Sequence, residues 1–129
     1  MTVRNLLIFA GIICLIFGLV LAISPATLIK LIFNHPSFLE TTIATSRNYG
    51  VLLTAVGIAS FAARNSTPSW GRFGFLVQSA IAGLLLAVYD AYTIVKGIYN
   101  ASTWGVVVIT AIIGIWGLLL LLKERKILA

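Results

Sequence analysis

Charge is what this chain has least of. Only 9% of its residues are Asp, Glu, Lys or Arg, against roughly a quarter in an ordinary soluble domain, so it cannot clothe a globule in a water-soluble surface. Titratable groups for chemistry are scarce as well. His35 is the only histidine and reads as a loop residue, with Glu40 its one acidic neighbour. A metal site normally needs three or four ligands at suitable spacing, which this pair does not supply. Cys14 is the single cysteine. It lies inside an apolar run, so no internal disulfide can form and no redox compartment can be read. Without a His/Asp/Glu cluster, paired cysteines or a cofactor motif, the chain is expected to be non-enzymatic and to carry no cofactor.

What the chain has in abundance is apolar length. It is 60% hydrophobic over 129 residues, and runs of about 18 apolar residues or more read as membrane spans. Four can be placed, at about 5–24, 43–63, 72–91 and 103–122, which use nearly the whole sequence. The expected fold is therefore all-α: one integral membrane domain, an antiparallel four-helix bundle. The first span does not read as a signal peptide, because its run is too long for an h-region and Leu21 to Pro25 makes a poor cleavage site.

The nine basic residues give an orientation. With four spans, Arg4, Arg64, Arg72, Lys123, Arg125 and Lys126 share one side, and Lys30, Lys96 and Arg47 lie on the other. The positive-inside rule then predicts a multi-pass protein of the cytoplasmic membrane with both termini in the cytoplasm. The net charge of +6 also attracts anionic lipid of the inner leaflet. The basic residues mark span ends and form no patch, so nucleic acid is not an expected partner. Membrane lipids are, with a second membrane protein or a homo-oligomer as further readings.

After the first span, Ser24-Pro25 reads as an N-cap with proline at the first helical position. Residues 25–33 are too short to span and form a candidate interfacial segment; a first helix continuing through a kink at Pro25 is the alternative. Asn65 to Ser69 makes a short turn between spans two and three, which predicts that these spans are antiparallel neighbours. Gly18 to Ala26 matches Gly83 to Ala91 without gaps, and Tyr49-Gly50-Val51 resembles Trp104-Gly105-Val106. This offers a reading as two repeated helical hairpins. Tyr49, Tyr92, Tyr99 and Trp104 would form an outer aromatic belt.

Small residues recur at helical spacing in every span. Gly11, Gly18, Gly50, Gly57, Gly83, Gly114 and Gly117 are the expected close-packing positions. Arg47 continues the Gly50, Thr54, Gly57 face of span two, and Asp90 continues the Ser79, Gly83, Leu86 face of span three. Each lies 17 or 18 residues from an arginine at the inner boundary, or roughly 26 Å at about 1.5 Å per residue. Their depths match, so an ion pair near the outer headgroup layer is expected, with Asn48, Tyr89, Tyr92 and Gln78 around it. Three roles stay open for these residues: a clamp between helices, separate snorkelling to water, and a ligand or headgroup site. Deeper in the membrane, Gln78, Ser79, Thr54 and Thr110 are expected to hydrogen-bond between helices.

Pro25 after the first span, Arg47 with Gly50, Gly57 and Arg64-Asn65 in the second, and the Gly97, Asn100, Trp104 series before the fourth resemble small bacterial four-helix membrane proteins of uncharacterised function. The resemblance implies a fold and a topology and no activity. The leading functional expectation is an accessory, scaffold or lipid-interacting module with an outer-leaflet polar site at Arg47 and Asp90. The alternative is a small oligomeric transporter or channel.

Overall fold

The computed structural model describes residues 2–128 and is helical throughout, with α1 (Val3–Ile23), α2 (Pro25–Ile32), α3 (Glu40–Ala63), α4 (Trp70–Val95), a 3-10 turn (Ala101–Thr103) and α5 (Trp104–Leu128). Local chemistry sets the boundaries. Thr2 caps α1 by accepting the Asn5 amide at 3.2 Å. Pro25 ends it, since a proline pushes the preceding residue out of the helical region and Ser24 adopts φ −134° and ψ 69°. Pro25 then occupies the first position of α2, where its missing N–H is no loss. Residues 25–32 thus form a separate helix and not a kinked continuation of α1. Ser69 caps α4 through the Arg72 amide, and Gly97, at φ +73°, turns the chain after it.

Among the described residues, three helical stretches are long and apolar enough to cross a membrane: Val3–Ile23, Trp70–Val95 and Ala101–Ile127. The expected fourth span, 43–63, is helical and 24 residues long as α3, but is not one of them. Its first half carries Thr41, Thr42, Thr45, Ser46, Arg47 and Asn48, which dilute the apolar run.

The helices pair as two antiparallel hairpins, α1 with α3 and α4 with α5. Glycines set both seams. A Cβ on Gly18 would stand 2.6 Å from the Thr54 amide nitrogen, and one on Gly83 would stand 2.5 Å from that of Gly114, so in each hairpin backbone lies against backbone. Gly11 faces Gly57, and Gly117 faces Ala80. The short Asn65–Ser69 link nevertheless leaves α3 and α4 almost without contact. The expectation that these two would be packed neighbours is therefore corrected, because each has its small-residue face turned to a different partner. Nor does the proposed repeat extend to the seam. A Cβ on Gly105, the sequence equivalent of Gly50, would meet nothing within 4 Å, and Gly114 takes the contact instead.

Two regions tie the hairpins together. Near the termini, Leu6, Ala10, Leu76, Ile113 and Leu120 form a buried cluster, with Phe9 and Trp116 rings 6.3 Å apart at its edge. At the far end, α2 is pinned to the α4–α5 connection. The Asn34 side chain donates to the Gly97 and Tyr99 carbonyls, the Asn100 amide donates to Ile32, and Phe33 meets Tyr99 edge to face.

Candidate functional site

Between those two ties the hairpins part. They enclose a cavity of about 680 Å³ lined by residues of α1, α2, α3, α4 and α5, within the range of about 300–1,000 Å³ usual for small-molecule sites. Its walls are mostly apolar: Ile13, Phe17 and Leu21 from α1, Leu53 and Val56 from α3, Phe75 and Leu86 from α4, Ile109 and Ile113 from α5. The apolar side of α2, with Leu28, Ile29, Ile32 and Phe33, roofs the far end. Leu52 on α3 and Gln78, Ala82 and Tyr89 on α4 line the cavity and are also exposed. The gap between α3 and α4 therefore opens the cavity sideways.

Polar groups gather under the roof. Asp90 lines the cavity there with Tyr49, Tyr89, Tyr99, Thr45 and Ser46. Asp90 is only 8% exposed, and it is the one charged residue among those lining the space. Among the described residues no side-chain hydrogen bond or ion pair reaches its carboxylate; its backbone carbonyl accepts the Thr93 hydroxyl at 2.8 Å. Burial, and then the nearby Asp90 charge with the Tyr89 and Tyr49 phenols, push the Tyr99 hydroxyl above its usual range.

The six residues expected to form one polar site divide. Asp90, Tyr89 and Gln78 line the cavity, Gln78 at a deeper level than the other two. Arg47, Asn48 and Tyr92 are exposed and lie outside the lining. Arg47 and Asp90 do not form the expected ion pair; the ion pair among the described residues joins Arg72 to Glu124. The reason is geometric. Both residues do continue the small-residue face of their helix, but that face of α3 meets α1 and that of α4 meets α5. Arg47 is one turn beyond Gly50, which packs on Leu21 and Ala22, and so overhangs the end of α1. Tyr92 instead carries Lys96 Nζ 5.7 Å from its ring centroid.

Hydroxyls expected to bridge helices serve their own helix. Thr54 donates to Gly50 and Thr110 to Val106, the back-bonding that satisfies a hydroxyl in an apolar helix. Among the described residues, no three of His, Cys, Asp and Glu come together as a metal site would need.

A second, smaller cavity of about 460 Å³ lies at the terminal end, lined by Arg4, Arg64, Arg72, Lys123 and Glu124 among others. There the Arg72 guanidinium makes three polar contacts. Its Nη2 stands 2.5 Å from Glu124 Oε1, its Nε donates to the same oxygen, and its Nη1 donates to the Ser66 carbonyl. The sequence marks these arginines as topology signals, and Arg72 as an interface anchor beside Trp70, and gives Glu124 no role. Their 52-residue separation hid the pair, which needs α4 and α5 to be neighbours. No protein-family model, curated protein or solved structure matches the chain, so its function is argued from this geometry.

Proposed function

We propose that this chain is a small, non-enzymatic, multi-pass membrane protein that binds a lipid or another amphiphile between its two hairpins. The cavity carries this reading: apolar walls from every helix, a polar end, and a side opening between α3 and α4. In a bilayer such an opening faces acyl chains, and a chain can enter without first crossing water. α3 would cross the membrane with the other three long helices, since it lies antiparallel along α1 through Gly50 and Gly57. Both termini and the basic cavity would then face the cytoplasm. Arg47, Asn48 and Tyr92 would stand in the opposite headgroup layer, Arg47 meeting phosphate or a partner's carboxylate.

Native mass spectrometry of the protein extracted in mild detergent tests this. The expected result is a co-purifying lipid or amphiphile that is lost in Ala82→Phe, which fills the opening. A bare protein, or a lipid complement unchanged by that substitution, would overturn the reading. The buried acid inside a side-opening cavity also gives a specific reason to keep transport as a second reading. It requires an oligomer or an alternating opening, and predicts flux of an amphiphile in proteoliposomes.

A further inference from the structure

We propose that Asp90 receives the ammonium group of an amphiphile whose alkyl chain fills the cavity. The inference rests on the cavity being a ligand site and goes on to name the head group that site would select. Asp90 is only 8% exposed as a residue, lines the cavity and has no ion-pair partner among the described residues; a charge so placed costs free energy unless something compensates it. No lysine, arginine or histidine among the described residues lines the space, so the wall supplies no counter-charge and an entering cation would. The neighbours point the same way. Tyr49, Tyr89 and Tyr99 share that end of the cavity, and phenol rings attract cations over their faces. A carboxylate beside several tyrosines is the chemistry that recognises primary or quaternary ammonium, and it disfavours phosphate, sulfate and carboxylate heads that carry no ammonium. The apolar walls below then select the chain. Two sources could supply that group: an aminophospholipid of the bilayer, or a free lipophilic amine.

The test uses the full chain in a nonionic detergent, titrated calorimetrically with decyltrimethylammonium, decanol and decyl sulfate below their micellar concentrations. The cation should bind ~10-fold or more tightly than the other two, and Asp90→Asn should abolish that preference while leaving decanol binding intact. If all three bind the unmodified chain alike, the ammonium proposal is overturned and the cavity reading survives. If none binds, the cavity reading falls and this one with it. Because the head-group series is run on the unmodified chain, it decides the question even where Asp90→Asn fails to fold. A second arm places the protein in phosphatidylglycerol nanodiscs with and without phosphatidylethanolamine. Displacement of decyltrimethylammonium by phosphatidylethanolamine supports the ammonium site with a bilayer lipid as its source; persistence of the bound cation supports the same site with a free amine as its source.

Discussion

Gly83 and Gly74 lie nine residues apart on α4 and should respond oppositely to the same substitution. A methyl on Gly83 meets the Gly114 backbone at 2.5 Å, whereas nothing lies within 4 Å of the corresponding position at Gly74. Backbone cannot rotate aside as a side chain can, so Gly83→Ala must push α4 and α5 apart, at about 1–3 kcal/mol. Gly74→Ala should instead stabilise by ~0.5 kcal/mol, because alanine loses less freedom than glycine on entering a helix. Thermal unfolding in detergent, followed by circular dichroism, gives both signs. Equal responses would show that the glycine seam is not what holds the hairpin. The seam was legible in the sequence as a set of positions, because glycine at three- and four-residue spacing has few other uses in an apolar helix. Which helix each glycine meets was not legible, since every span offers a similar stripe. That ambiguity alone misassigned Arg47 and Asp90 to each other.

Among the elements, α2 is the one held most by polar contacts. Asn34 donates to two carbonyls of the α4–α5 connection, and the Asn100 side chain and amide return the bond to Leu31 and Ile32. Asn34→Ala removes two side-chain bonds at an exposed position, so the roof should loosen by about 1 kcal/mol without unfolding the hairpins below. Hydrogen exchange should then quicken several-fold at the Asn34 and Asn100 amides and stay unchanged at Gly83 and Gly114. Unchanged exchange at Asn34 would mean that the apolar side of α2 suffices to hold it. A break at Ser24-Pro25 could be anticipated from residue chemistry, since proline acts locally. The docking of α2 could not, because its partners lie more than 60 residues away. α3 shows the converse limit. Its length was legible, but Arg47, Asn48 and the threonines around them make it less apolar than α1, α4 and α5.

At the scale of the molecule, the two hairpins are fastened near each end and separate between. Within the α4–α5 hairpin, the Arg72–Glu124 pair has side chains only 15% and 4% exposed, so removing one partner strands a buried charge. Glu124→Ala should destabilise by about 3 kcal/mol, read as a lower unfolding temperature, while Glu40→Ala on the exposed start of α3 should change little. Whether the whole assembly spans the bilayer turns on α3. The antiparallel Gly18–Gly50 seam lays α3 back along α1, and the positive-inside count presupposes that α3 crosses, whereas its composition alone does not mark it as a span. The two ends of α3 decide between these. In a Cys14→Ser background, Ser37→Cys lies just before α3 and Thr67→Cys just after it, both exposed. A membrane-impermeant maleimide applied to intact cells should label Ser37→Cys at once and Thr67→Cys only after permeabilisation. Labelling of both from the same side would mean that α3 does not cross. The cavity would then have its α3 wall outside the hydrocarbon layer, and a water-exposed mouth would replace the lipid-facing one on which binding of an alkyl chain depends.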